Sequence, residues 1–496
     1  MKSQNQVIRS QRMILIGDAE PKPASILIMN GKIEAVGSYS EPFDETPSTD
    51  FGNQLILPGI VDTHAHINEP GRTEWEGFQT ATWAAAAGGV TTVIDMPLNS
   101  IPATTSAEAL RIKGETAESQ CSIDYGFWGG VIPGNHSELK SMIHAGVMGF
   151  KCFLIDSGVP EFPATDEAVL RKIMPILAAA GLPLIVHAEL CTSQTMIATS
   201  SPHPPQAPPE REPTHLIHAS HAAQTSYATY LSSRPAQWEV AAIRMMIGLS
   251  EETGCRVHIV HLSAAGALGD IRQAKARGTP ITVETCPHYL TFTAEEIPDG
   301  ATLFKCAPPI RERENRERLW QGLESGIIDC IVSDHSPCTP ILKELKTGDF
   351  EKAWGGISGI QFSLPAVWTE MKNRGIPISR LTTWMSKNPA LLAGLSKRKG
   401  ALQPGFDADF IVFDPEAKQV FNSSPGSNSG SGSGLTQIYH RHRPSPYEGH
   451  HFYGTVLKTF VRGNLIYDAI TPAATNASTP ISRFSKIRLG NRLLRA

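Results

Sequence analysis

Apolar residues recur along this chain in two different rhythms. From about residue 7 to residue 57, short runs are apolar or alternate with polar residues, as in Met13-Ile14-Leu15-Ile16-Gly17, Ser25-Ile26-Leu27-Ile28-Met29 and Lys32-Ile33-Glu34-Ala35-Val36. Alternation buries one face of a pleated strand, and the intervening Asn30-Gly31 suits the positive φ values of a tight hairpin turn. The same texture returns after Gly400, in Phe410-Ile411-Val412-Phe413 and in Val456-Leu457-Lys458-Thr459-Phe460-Val461 before the turn Arg462-Gly463-Asn464. Between these ends the pattern changes. Solid apolar runs of strand length end near Asp62, Asp95, Gly130, Phe153, Val186, His261, Thr285 and Ser333, and helical stretches separate them. Thr80–Ala87 is one such helix, stopped by Gly88-Gly89. Glu239–Glu252 is another, with Val240, Ile243, Met246, Ile247 and Leu249 near helical spacing and Gly254 as its stop signal.

Eight strand–helix units predict an α/β chain with a closed TIM (β/α)8 barrel rather than an open sheet. The two β-rich ends predict one small composite β-sandwich domain built from both termini. The expected division is 1–57 for the N-terminal part of that domain, 58–399 for the barrel, 400–470 for the C-terminal part, and 471–496 for a tail. Residues 200–213 are proline-rich and read as an extended loop over the barrel mouth, while 422–434 read as a flexible Gly/Ser insertion. The tail starts polar and ends with Arg488, Arg492 and Arg495, which predicts a disordered or loosely docked segment, with a short oligomer-contact helix as the alternative.

Composition narrows the function classes. With 496 residues, 41% hydrophobic and 19% charged, the chain can bury a large core. A formal net charge of −4 argues against nucleic acid and against an anionic membrane as partners. The eight cysteines include no C-x-x-C pair, and Cys152, Cys255 and Cys330 lie in apolar runs, which predicts buried free thiols in a reducing compartment. Met1–Gln6 carries no long apolar stretch, so no secretory signal is expected and the cytoplasm is the expected location.

The strand ends carry the chemistry. His64 and His66 are two apart at the end of an apolar run, so both imidazoles share one face and can reach one ion. Lys151, His187, His261 and Asp334 stand at the ends of four further strands. A free ammonium cannot ligate a cation. Burial near positive charge would lower the Lys151 pKa, and the neutral amine could add carbon dioxide to become an anionic, bidentate carbamate. Asp334 could bind metal and also carry a proton from water to a leaving nitrogen. His258 lies at an odd offset from His261 and is read as a packed structural histidine. His335 is expected behind the ligands, and His288 as either a supporting or a purely structural residue. His440, His442, His450 and His451 lie in a polar segment and are read as a solvated loop. Gly355-Gly356-Ile357-Ser358-Gly359 is read as a flexible stretch whose backbone approaches a small substrate.

These segments resemble the cyclic amidohydrolase branch of the amidohydrolase superfamily, which includes dihydroorotases, hydantoinases or dihydropyrimidinases, and allantoinases. The resemblance runs from about Met13 to Asp468. It implies two divalent metals, zinc by preference, held by His64, His66, Lys151, His187, His261 and Asp334, with Lys151 carboxylated and bridging. Within that branch, His64-Ala65-His66-Ile67-Asn68-Glu69-Pro70-Gly71-Arg72 is similar to the allantoinase pattern. Dihydroorotases have an arginine two residues past the second histidine, where this chain has Asn68, and an amide cannot clamp a carboxylate as a guanidinium does. The run Phe153–Pro163 lacks the tyrosine usual in hydantoinases, and Ser333-Asp334-His335-Ser336-Pro337-Cys338 agrees with the allantoinase reading. The resemblance implies hydrolysis of the ring amide of allantoin, with Asp334 as proton carrier. Asn99, Ala307 and Ser336 are the candidate substrate contacts, and Arg72 is expected to pair with Glu74 or Glu76. A homotetramer or homodimer is expected.

Overall fold

The computed structural model describes residues 5–43, 45–191, 224–422, 435–470, 483–485 and 488–495. The proline-rich stretch 200–213 lies outside the described residues, as does all of the Gly/Ser insertion past residue 422.

Eight parallel strands close into a barrel. In order they are Ile60–Ala65, Val90–Asp95, Asp124–Phe127 continued by Gly129–Gly130, Phe150–Phe153, Leu184–His187, Val257–Ile259, Ile281–Thr285 and Cys330–Ile331. Neighbours pair in register, with Phe153 beside His187, Val186 beside Ile259, Ile259 beside Val283 and Thr285 beside Ile331. The seam closes where Ala65 pairs with His335 and the His66 N–H donates to the His335 carbonyl at 2.7 Å. These strands read as solid apolar runs because helices cover them on the outside and side chains fill the inside.

Helices begin and end where local chemistry directs. Ser106, Asp166 and Ser226 accept hydrogen bonds from the third helical N–H of their helices. The helix Ala236–Thr253 ends at Gly254, whose φ of 68° no β-branched residue takes without strain.

The small domain is a nine-stranded sheet. Its main order is Asn464–Asp468, His451–Val461, Phe410–Asn422, Leu55–Pro58, Gln6–Met13, Lys22–Met29, Lys32–Gly37. N- and C-terminal segments meet where Phe410 pairs antiparallel with Pro58. The sheet curls over a core of Ile8, Ile26, Ile28, Ile56, Phe410 and Phe460, and Gln6 from one side donates to the Gly463 carbonyl on the other at 2.6 Å. The first strand differs from expectation. It is Gln6–Met13, with the Ile14 N–H still donating to the Ile56 carbonyl, and residues 15–17 turn away because Asp18 accepts from the Leu15 N–H and Gly17 takes φ 84°.

A buried charge knot joins this domain to the barrel. Lys399 donates to Asp124 at 2.5 Å and to Asp409 at 2.6 Å, lies 2.9 Å from Asp407, and is 1% exposed. Arg462 also pairs with Asp124.

Two polar segments are better ordered than their composition suggests. The end of the chain docks as an irregular strap: the Tyr125 N–H donates to the Asn491 carbonyl, the Leu493 N–H returns to Tyr125, and Leu493 is buried. Arg488 and Arg492 lie over the rings of Trp83 and Phe127, so their basic character serves packing rather than solvation. Gly490 makes this approach possible, since a Cβ there would sit 2.0 Å from the Ile123 carbonyl. The histidine-rich segment is the second correction. His440 is buried among Phe362 and His335, and His442 Nε2 donates to the Glu74 carbonyl, while His450 and His451 are exposed as expected. Aromatic residues outside any strand, Tyr439 and Tyr447, are buried and pull this stretch onto the barrel. No helix among the described residues is long and apolar enough to cross a membrane.

Candidate metal centre

Each sequence-predicted ligand is buried at the C-terminal mouth of the barrel: His64, His66, Lys151, His187, His261 and Asp334. His64 and His66 emerge together from the first strand, and with Asp334 their ligating atoms lie within 4.8 Å of one another. Asp334 Oδ1 stands 3.1 Å from His64 Nε2 and 3.6 Å from His66 Nε2. His187 Nδ1 lies 3.0 Å from His261 Nε2, and the His64 and His261 rings are 5.4 Å apart, which links the two groups. Lys151 lies behind Phe153, its Nζ 5.0 Å from that ring, and Phe153 stacks on His187 at 4.5 Å.

Two ligands leave their strands in the left-handed region. His261 has φ 37° and Asp334 has φ 45°. The sixth strand ends at Ile259, so His261 sits two residues beyond the ladder rather than at its end. Such conformations persist where surrounding structure holds them. Here Glu284 accepts from the His261 N–H at 3.3 Å, and the Ser333 hydroxyl accepts from the His335 N–H at 3.0 Å. Asp62 ties the first and eighth strands by accepting from His64 and Ser333 N–H groups, and burial pushes its own pKa up to about 6.

Carboxylates behind the ligands set the tautomers. Glu284 accepts from His64 Nδ1 at 2.5 Å, and Glu189 accepts from His187 Nε2 at 2.7 Å. Arg234 holds Glu189 in turn. With Nδ1 as donor, His64 turns a lone pair on Nε2 toward the Asp334 oxygen. Two acceptors 3.1 Å apart repel unless a proton or a cation lies between them. His64 Nε2, His261 Nδ1 and Lys151 Nζ are all buried without a hydrogen-bond partner. Buried polar atoms are almost always satisfied, so this concentration of unsatisfied donors and acceptors fits a site made for cations.

The electrostatics agree. Burial lowers the His64 pKa, but Asp334 and Glu284 outweigh it and raise the group to about 9. His66 and His261 are held well below the ordinary imidazole range, chiefly by burial. Burial brings Lys151 down to about 8 despite Glu284 and Asp334. Burial works against ionisation of Glu284 and Asp334, yet His64 keeps Glu284 near 2 and Asp334 well below the usual carboxylate range.

Asn99 is buried, with Nδ2 3.4 Å from His66 Nδ1 and Oδ1 unpartnered. Gly355 lies beside Ala307, and Gly356 lies against Ser336, whose N–H donates to the Ile357 carbonyl. The glycine stretch is therefore pinned rather than flexible: Gly356 N–H donates to the Lys305 carbonyl and Gly359 N–H to His335 Nδ1. Arg72 pairs with Glu161, not with Glu74 or Glu76, because Glu76 is engaged by Arg441 and His335. His258 is a packed histidine, bonded to Glu284 and Thr282. Sequence reasoning missed Glu284, Glu189 and the Asp95–Lys113 pair that receives the Ile67 N–H. A lone glutamate inside the apolar run Val283-Glu284-Thr285 was the available signal for the first.

Residues 55–466 match the model of the amidohydrolase family. Among curated proteins, the chain is 45% identical over 464 residues to an allantoinase of Streptomyces avermitilis, covering 93% of this chain and 95% of that protein. It is 45% identical over 431 residues to the allantoinase of Saccharomyces cerevisiae, covering 86% and 85%. Among solved structures, the L-hydantoinase (dihydropyrimidinase) from Arthrobacter aurescens superposes with a TM-score of 0.84 at 28% identity, covering 99% of this chain and 100% of that one.

Proposed function

The chain belongs to the amidohydrolase family, and from that premise we propose that it is an allantoinase, opening the hydantoin ring of allantoin to give allantoate. The observation that carries this reading is 44–46% identity, over 80–93% of this chain, with allantoinases of a bacterium, a plant, a yeast and a frog. The fold is shared with hydantoinases at lower identity, so the fold alone does not select the substrate.

The site is a divalent-metal site. Two divalent ions, zinc the expected one, would be held by His64, His66, His187, His261 and Asp334 together with Lys151 as its carbamate, a donor set that also suits cobalt, manganese or iron. The lowered pKa of Lys151 favours that modification. The neutral amine forms an N–C bond to carbon dioxide and releases a proton, and a buried cation becomes an anion. When bound, the ions supply a Lewis acid for the ring carbonyl and a water of lowered pKa.

The chain's own residues do the rest. Glu284 and Glu189 fix His64 and His187 in the tautomers that leave one lone pair each for a cation. Asp334 takes the proton from the attacking water as the carbon–oxygen bond forms. It returns that proton to the ring nitrogen as the carbon–nitrogen bond breaks. Asn99, through its unpartnered Oδ1, and the backbone at Ala307 and Ser336 orient the ureide. A reducing compartment, the cytoplasm by preference, suits eight free cysteines, seven of them buried. The exposed Ile341, Leu342 and Leu345 favour assembly into a homodimer or homotetramer, which light scattering would size.

The test compares turnover of allantoin, hydantoin and dihydrouracil by wild type and Lys151→Ala, with metal content measured on both. Allantoin should be preferred, and the variant should lose metal and turnover together. Preference for dihydrouracil or hydantoin would replace this reading with a hydantoinase. Full activity in Lys151→Ala would remove the carbamate from it.

A further inference from the structure

His288 is fully buried, and neither of its ring nitrogens has a hydrogen-bond partner. One of those nitrogens lies in a group with the Asp334 carboxylate and the Cys286 thiol, all within 4.8 Å of one another. A neutral imidazole carries one N–H donor and one acceptor. In a protein interior such a donor is nearly always matched, and the Asp334 carboxylate is a charged acceptor within that group.

The element that carries His288 is firmly held. It is the single-turn helix Pro287–Thr291 after the seventh strand. The Tyr289 hydroxyl donates to the Pro308 carbonyl at 2.7 Å, the Trp320 indole donates to the Leu290 carbonyl at 3.1 Å, and the His288 and Tyr289 rings meet at 4.2 Å. The same turn therefore braces the Ala307–Pro308 segment on one side and faces Asp334 on the other.

Asp334 has two demands on one carboxylate. Oδ1 faces His64 and His66, where a cation is to be held. Under the reading above, the group must also take up a proton and deliver it to the ring nitrogen. A carboxylate that swings about its χ2 bond does the second task poorly, and the backbone of Asp334, at φ 45°, fixes only its Cα.

We propose that His288 is a positioning residue for Asp334: its N–H holds the carboxylate in the rotamer that keeps one oxygen toward the metal and the other toward the departing nitrogen. The ring nitrogen and the carboxylate lie within 4.8 Å of one another, so a small rotation of either side chain closes the contact. The inference rests on the assignment of Asp334 as proton carrier. It does not require allantoin to be the substrate, since any cyclic amide opened at this centre needs the same proton path.

The experiment uses metal-loaded wild type, His288→Gln and His288→Leu. Each is assayed for kcat and KM on whichever cyclic amide the wild type opens fastest, with metal content and thermal midpoint recorded. Substituting a residue that holds a metal ligand typically changes affinity or activity by roughly 10- to 100-fold. The expected result is a kcat reduced by that factor in His288→Leu, a KM within about twofold, and metal content as in wild type. His288→Gln, which keeps a donor, should recover a large part of kcat. Three results would overturn the proposal: an unchanged kcat in His288→Leu, metal loss that accounts for the whole defect, or equal defects in both variants that track a lowered thermal midpoint. Failure of wild type on allantoin with this pattern intact on another cyclic amide would instead overturn the substrate reading alone.

Discussion

Glu284→Gln removes a single charge while keeping the shape of a side chain that touches no substrate. The wild-type carboxylate accepts from His64 Nδ1 at 2.5 Å, from His258 Nε2 at 2.9 Å and from the His261 N–H at 3.3 Å. An amide has one accepting oxygen and a donating nitrogen, so one histidine must face a donor. If that is His64, its Nδ1 becomes the acceptor and its Nε2 acquires the proton, and the ligating lone pair is lost. Losing one charge-assisted hydrogen bond costs about 1.5–3 kcal/mol. At 1.4 kcal/mol per tenfold this weakens metal binding by roughly 10- to 100-fold, in line with other residues that support ligands. Chelator competition would measure the affinity, and steady-state turnover at rising metal concentration would show whether excess metal restores part of kcat. Thr282→Val is the contrast, since it removes only the Thr282 partner of His258 Nδ1 and should leave affinity near wild type. Unchanged metal affinity and unchanged kcat in Glu284→Gln would refute the claim that this carboxylate orients His64.

Further predictions concern the charged groups. In protein stripped of metal, His64 has its pKa raised to about 9, so its stabilising contribution is whole below about 6.5 and is lost as pH rises through 9. Lys151, lowered to about 8, works in the opposite sense above that pH. Because Lys305, which burial lowers to about 7, pulls the same way as Lys151, the His64 contribution is read as the difference from His64→Asn: the urea midpoint of stripped wild type should fall relative to that variant between about pH 6.5 and 9. Metal loading should remove this difference, because a cation takes the proton's place. A pH profile identical in stripped wild type and His64→Asn would contradict the pairing. Lys399→Met leaves Asp124, Asp407 and Asp409 buried without their shared cation, and should cost about 3–5 kcal/mol by chemical denaturation. A loss below about 1 kcal/mol would show the knot to be solvated.

Much of the barrel was readable because its strands are buried on both faces and so appear as unbroken apolar runs. The six candidate ligand positions were readable for a related reason: a histidine, lysine or aspartate at the end of such a run has no solvent to explain it. What stayed hidden depends on partners distant in sequence. Glu284 meets His64 across 220 positions, and Arg72 meets Glu161 across 89, so local spacing held no trace of either pair. The sequence reads the C-terminal strap as disordered or loosely docked and the segment around His440 as a solvated loop, because their polar residues satisfy carbonyls and aromatic faces of other elements, which composition cannot express. The end of the sixth strand was misplaced for a similar reason. His261 continues the apolar run, yet a left-handed turn held by Glu284 takes it off the ladder.

The central claim is that these six side chains hold a pair of cations that allantoin hydrolysis requires. Titrating metal-stripped protein with zinc in the presence of bicarbonate, and following allantoin hydrolysis at each addition, tests it most directly. The account predicts negligible turnover at the start and a rise that ends at two equivalents per chain. Full turnover before any metal is added, or saturation with no dependence on His64, Lys151 or Asp334, would contradict it.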